Sequence, residues 1–163
     1  VAAFAPADPA NLSFLTQTTL SVDDTAEVVA ALKAKFPAVQ APRGEDICYA
    51  TQNRQAAVKV IASSCDAVLV IGAPNSSNSV RLVEVAERQG VPARLIQRAA
   101  DLDWEFLRGV GTLGITAGAS APEELVRELV ARLSERFAVT EREEETTRES
   151  IAFKLPRGLE AAA

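Results

Sequence analysis

Asp66-Ala67-Val68-Leu69-Val70-Ile71-Gly72 is an unbroken apolar, β-branched run, and Asn75-Ser76-Ser77-Asn78-Ser79 follows it closely. Such a run suits a strand buried on both faces of a parallel sheet. Beyond the polar stretch, residues 80–90 place Leu82, Val83 and Ala86 at helical spacing and stop at Gly90. Five small polar residues therefore sit between the C-terminal end of a strand and the N-terminus of a helix. In an open parallel α/β sheet, ligands bind at that edge. The free N–H groups and positive dipole end of the helix favour an anion, and hydroxyls and carboxamides add donors. An ordinary helix cap needs one such residue. Five in succession, with Ser76, Ser77 and Asn78 at the centre, point to a phosphate-type site.

The pattern recurs to either side. Residues 12–15 read as a short strand and Thr16-Gln17-Thr18-Thr19-Leu20-Ser21 as a second polar set. Residues 24–36 read as a helix with Val28, Val29 and Leu32 on one face, capped by Ser21 or Asp23 and ended by Pro37. A brief strand at 39–42 and a turn at 43–46 follow. Residues 47–53 then lead into a helix over 54–64, striped by Val58, Ile61 and Ala62. Downstream, 92–96 is a strand, 101–107 a short helix carrying Trp104, and 112–116 a strand. Ala117-Gly118-Ala119-Ser120-Ala121 then precedes Pro122, which suits a first helical position. Glu123 and Glu124 suit the first turn, and an apolar spacing of three and four continues to 137. Strand, polar loop and helix thus repeat around Cys48, Ser76 and Ser120. The predicted class is α/β, built of parallel-sheet βα units. Residues 139–150 read as a charged, solvated linker, and 151–156 alternate like a strand that pairs with a neighbouring unit.

The 163 residues suffice for one large domain or one and a half small ones, and the net charge is −5. No basic block is interleaved with aromatics, which disfavours nucleic acid as a partner. No apolar run reaches membrane-spanning length and no signal peptide opens the chain, so a cytoplasmic setting is expected. The absence of Met leads us to expect that the chain begins inside a longer protein. The absence of His removes the commonest acid–base group and metal ligand. Two cysteines are too few for a disulfide framework or a four-cysteine metal site. Metal or redox chemistry would need ligands from elsewhere.

Several single residues have two readings. Cys48 lies before a helix start, where a thiolate is stabilised as nucleophile or as metal ligand; it also fits a buried structural cysteine. Cys65 ends a helix without polar neighbours and reads as structural. Thr18 and Thr19 either donate hydroxyls to a ligand or satisfy local backbone. Ser120 either meets a ligand at a helix start or caps that helix. Arg81 either approaches an anion or pairs with Glu84 or Glu87. Asp23 and Asp24 read as helix-start carboxylates. Neither the dinucleotide glycine pattern nor a Gly-Lys-Ser/Thr phosphate loop is present.

Four motifs occur in fixed order: Thr16-Gln17-Thr18-Thr19-Leu20-Ser21-Val22-Asp23-Asp24-Thr25, Asp46-Ile47-Cys48-Tyr49-Ala50-Thr51-Gln52-Asn53-Arg54-Gln55, Asn75-Ser76-Ser77-Asn78-Ser79-Val80-Arg81-Leu82 and Thr116-Ala117-Gly118-Ala119-Ser120-Ala121-Pro122. Together with the closing Phe153-Lys154-Leu155-Pro156-Arg157, they resemble the 4-hydroxy-3-methylbut-2-enyl diphosphate reductases of the non-mevalonate isoprenoid pathway. The resemblance implies a reductive dehydroxylation that yields isopentenyl and dimethylallyl diphosphate. It implies a 4Fe-4S type cluster with one open iron, held by three cysteines, and a trefoil of three α/β units around a cavity. It also implies an electron donor such as ferredoxin or flavodoxin. By this resemblance Cys48 matches one cluster cysteine and Thr18 the threonine near the substrate hydroxyl. Ser76, Ser77 and Asn78 match the diphosphate-binding run, and Ser120 the last diphosphate loop.

The family's first unit and half of its second have no counterpart here. With them go two cluster cysteines, the diphosphate-binding histidines and the proton-supplying glutamate, so no catalytic residue is assigned to this chain. The expected organisation is 1–45 as the remainder of the middle unit, 46–138 as the C-terminal unit, and 139–163 as linker and closing strand. The isolated chain is expected to lack the cluster and to be inactive. Two other readings stand: a diphosphate-binding module without catalysis, and a subunit that works beside another polypeptide carrying the missing ligands.

Overall fold

The computed structural model describes residues 1–44 and 46–147. Its elements are α1 (Val22–Lys35), α2 (Tyr49–Ala62), β1 (Ala67–Ile71), α3 (Ser77–Arg88), β2 (Ala93–Ile96), β3 (Leu113–Ala117) and α4 (Glu123–Ser134). The sheet order is β2-β1-β3, and both pairings are parallel. β1 is the central strand, and all five of its residues are buried. Val68 stands opposite Ala93 on one side and Gly114 on the other; Ile71 stands opposite Ile96 and Ala117. The α/β class expected from the sequence is therefore correct.

Strand alternation divides β1 between two cores. Val68 and Val70 pack with Val58, Leu82, Val85 and Ala86, which belong to α2 and α3. Leu69 and Ile71 pack with Ile96, Leu102, Leu107, Leu129 and Leu133, so α4 covers the opposite face. Full burial of each such side chain is worth about 1.5–3 kcal/mol relative to exposure. Gly90, with φ 82°, follows the last turn of α3 in the left-handed conformation that glycine adopts without strain.

Several element boundaries move from those expected. α2 begins at Tyr49 rather than at 54, and α3 begins at Ser77 rather than at 80. In α3 the polar loop residues are themselves the first helical turn. The strands expected at 12–15 and 39–42 reduce to one parallel bridge, Ser13 with Gln40; among the described residues no third strand flanks them, and so short a pair is marginal by itself. The helix expected at 101–107 is instead a single 3₁₀ turn, Ala99–Asp101, followed by an irregular turn. Asp101 accepts from the Gln97 and Arg98 amides and Asp103 from the Glu105 amide, local bonds that compete with helix formation. Pro122 is the N-cap of α4 rather than its first helical residue, and α4 ends at Ser134 rather than continuing to 137. Residues 139–147 are exposed and form no helix or strand, as their charge suggested. The strand expected at 151–156 lies outside the described residues.

Candidate functional site

Parallel pairing sends the loops after β1 and β3 off the same edge of the sheet. Those loops carry Ser76, Ser77, Asn78 and Ser120. Their contact is tight. A Cβ at Gly118 would lie 2.2 Å from Ser79 Oγ, and a Cβ at Gly72 would lie 2.2 Å from the same oxygen. Two glycines therefore make the slot into which the Ser79 hydroxyl fits, and Asn78 Nδ2 is 3.8 Å from the same point beside Gly118.

The start of α3 is built of its own polar side chains. Ser76 is the N-cap; its Oγ accepts from the Ser79 amide at 3.3 Å and from the Ser79 hydroxyl at 3.0 Å. Both lone pairs are thereby used, and the Ser76 O–H proton remains to donate. The expected alternative, a plain cap, is thus true of Ser76 as far as its oxygen goes. By helix geometry the amides of Ser77 and Asn78 have no partner in a preceding turn. Ser77 is exposed. Asn78 is only 8% exposed, yet among the described residues neither its Nδ2 nor its Oδ1 has a hydrogen-bond partner. A buried carboxamide left this way costs about 1–3 kcal/mol per unsatisfied group unless something polar meets it. Donors gathered at a helix start suit an anion.

Ser120 lies in an exposed turn closed by the Ala121 amide on the Gly118 carbonyl at 2.9 Å. It does not cap α4, because Pro122 holds that position without a side-chain bond. Arg81 turns from the edge to pair with Glu84 on its own helix and, at 3.7 Å, with Asp24 of α1. Arg88 also pairs with Asp24, a contact between α1 and α3 that sequence reading did not find.

Four residues join α2 to β1, so α2 runs back across the sheet and its N-terminus points toward the edge that carries these loops. Cys48 is the N-cap of α2; it is exposed rather than buried and makes no side-chain capping bond. Its amide donates to the Thr18 carbonyl at 3.0 Å, which sets the exposed Thr18 turn beside it. Cys65 lies beyond the other end of α2, and a Cβ at Gly114 near the start of β3 would be 3.2 Å from its Sγ. Burial pushes the Cys65 thiol up. Among the described residues no three His, Cys, Asp or Glu side chains group as metal ligands. An iron–sulfur cluster is held by several thiolates, and the two here, Cys48 and Cys65, stand at opposite ends of α2.

Two adjoining apolar grooves lie elsewhere, along α1, and share Phe14, Thr16, Thr25 and Val29. One, of about 280 Å³, is lined by Leu15, Thr25, Val28 and Leu32 among others; the other, of about 300 Å³, by Phe14, Val22, Val29 and Ile47 among others. Neither includes Cys48, Ser76 or Ser120.

Residues 1–134 match the family described as LytB protein. This chain belongs to that family. The LytB chain is 61% identical over 157 residues to the 4-hydroxy-3-methylbut-2-enyl diphosphate reductase of Phenylobacterium zucineum, covering 96% of this chain and 50% of that protein. It is 57% identical over 164 residues to the reductase of the same name from Ruegeria pomeroyi, covering 100% of this chain and 52% of that one. The solved structure of the E-1-hydroxy-2-methyl-but-2-enyl-4-diphosphate reductase from Plasmodium falciparum matches with a TM-score of 0.87 and 36% identity, covering 95% of this chain and 50% of that one. The LytB chain thus spans about half the length of the curated relatives it matches. No described helix is long and apolar enough to cross a membrane.

Sequence reading identified the polar loops but missed what fixes them. Gly72, Gly118 and Ser79 act as a steric unit across two loops, which no local pattern reveals. Gln55 and Asp46 read only as members of a motif, without a role of their own. Gln55 carried a usable signal, because it is polar yet sits on the buried stripe of Thr51, Val58 and Ala62.

Proposed function

We propose that this chain is the C-terminal half of a cytoplasmic 4-hydroxy-3-methylbut-2-enyl diphosphate reductase, the iron–sulfur enzyme that yields isopentenyl and dimethylallyl diphosphate. The chain contributes one cluster thiolate, Cys48, and the loops that bind the substrate's diphosphate. The single observation that carries the reading is Asn78, a buried and unpartnered carboxamide at the start of α3, facing the loop after β3. The Ser77 and Asn78 amides, the Ser76 hydroxyl and the Asn78 side chain donate to diphosphate oxygens, and Ser120 closes on them from the neighbouring turn. Thr18 meets the hydroxyl end of the substrate, beside Cys48. The partner that completes the site is the half which the relatives carry and this chain does not. It brings the remaining cluster ligands and the proton donor, with electrons from a ferredoxin- or flavodoxin-type protein. We assign residues 1–45 to the middle unit of a three-unit trefoil, 46–138 to its last unit, and 139–147 to a linker that leads out of it. The grooves beside α1 receive the missing part of the middle unit.

Titrating the chain with inorganic diphosphate, followed by amide NMR, tests the anion site. Asn78→Ala and Ser76→Ala are expected each to weaken binding about tenfold, in line with about 1–1.5 kcal/mol per hydrogen bond, while Cys48→Ala leaves it unchanged. Anaerobic reconstitution with iron counting tests the cluster. The chain alone is expected to hold no stoichiometric cluster, and the chain joined to the N-terminal half of the Phenylobacterium relative is expected to hold one. Absence of saturable diphosphate binding, or a stable cluster in the chain alone, would overturn the reading.

A further inference from the structure

Five hydrogen bonds tie residues 16–22 to Asp46, Cys48 and Gln55, before and within α2. The Asp46 carboxylate accepts from the Thr16 amide at 2.8 Å and from the Thr16 hydroxyl at 3.3 Å. The Cys48 amide donates to the Thr18 carbonyl at 3.0 Å. The Gln55 carboxamide donates to the Leu20 carbonyl at 2.8 Å and accepts from the Val22 amide at 3.0 Å. Gln55 is 1% exposed, although it lies on a helix whose buried face is otherwise small or apolar apart from Thr51.

The residue types match these tasks. Asp46 faces two donors and is an acceptor only. Gln55 faces one carbonyl and one N–H, and a carboxamide supplies both a donor and an acceptor. Neither a carboxylate nor an ammonium could make both bonds. Gln55 lies about two helical turns from Cys48, so rigid α2 connects them. At the far end of the loop, Ser21 Oγ accepts from the Asp24 amide at 3.2 Å and anchors the start of α1. The Thr18 turn is therefore held from both ends, with the Cys48–Thr18 bond between.

We propose that Gln55 and Asp46 are positioning residues that fix the Thr18 turn in register with Cys48. In the reductase reading, on which the significance of this register rests, they set the spacing between the cluster thiolate and the residue at the substrate hydroxyl. Neither touches substrate or cluster.

Amide hydrogen exchange in the full chain tests the clamp without iron or diphosphate, so failure of the cluster experiment does not prejudge it. Gln55→Met keeps the volume and removes both bonds. It is expected to speed exchange at the Val22 and Cys48 amides at least tenfold and to leave the β1 amides within twofold. Asp46→Ala, at a less buried position, is expected to speed exchange at Thr16 and Cys48 by a smaller factor, again without change in β1. A residue that merely supports the fold would speed all amides together. Uniform acceleration in both variants would overturn the proposal, as would an unchanged Cys48 amide in both.

Discussion

Residues 46–134, the sheet with α2, α3 and α4, and residues 1–44 solve the burial problem in opposite ways. The sheet unit fills both faces of β1, and Leu69, Leu82 and Leu129 are at most 1% exposed. The first segment has a helix of the same family of lengths, α1, yet none of its residues is buried. Val28 stays 51% exposed and Leu15 82%. What fastens this segment is polar. Lys59 pairs with Asp23 at 2.7 Å, Arg81 and Arg88 reach Asp24, and Gln55 grips the turn before α1. The sheet unit thus owes its shape to its own apolar layers. The first segment takes its position from hydrogen bonds and ion pairs to that unit, and much of its apolar face stays exposed.

The largest test of this contrast is truncation. Leu129→Ala is expected to cost about 3 kcal/mol in denaturant unfolding, as buried leucines do. Val28→Ala, at a half-exposed site, is expected to cost about 0.5 kcal/mol or less. Comparable losses at the two positions would erase the distinction.

A smaller effect sharpens the picture inside the sheet unit. Gly118→Ala forces a methyl group against Ser79 Oγ, and overpacking of this kind costs about 1–3 kcal/mol. Removing that oxygen leaves Ser79 Cβ at 3.4 Å, an ordinary contact. The Gly118→Ala loss is therefore expected to shrink in a Ser79→Ala background. Gly72→Ala should show no such recovery, since Ser79 Cβ itself would be 2.5 Å away. A double-mutant cycle in thermal unfolding reads both couplings.

The smallest effect concerns Cys65, which belongs to the sheet unit. Burial raises its pKa, so at neutral pH less of it is thiolate than in a free thiol. Its alkylation rate is expected to rise with pH over a range displaced upward from that of free cysteine. Rates measured by mass spectrometry on a Cys48→Ala chain, from neutral to alkaline pH, check this. Coincident profiles would count against a sheltered Cys65.

Much of the sheet unit was readable from one dimension. The run ending at Ile71 declares a central strand because it has no polar alternation, and Leu82 with Ala86 declares the face of α3. The start of α2 was less readable. Tyr49, Ala50 and Thr51 carry no strong helical signal, and their conformation follows from the Cys48–Thr18 bond and the buried Thr51–Gln55 stripe. The same holds for the site. Ser76, Ser77 and Asn78 announce themselves as a polar block at a strand's end. The bond partners of Gln55 and the glycine slot around Ser79 depend on which distant loops come together, and spacing along the chain does not encode that directly.

The slot has a bearing on how such proteins diverge. At position 118 a methyl group and at position 79 a hydroxyl compete for one volume, so each is admissible only where the other is missing. Substitutions there are expected to arrive in pairs, and aligned descendants should show the two columns changing in concert while position 72 stays fixed.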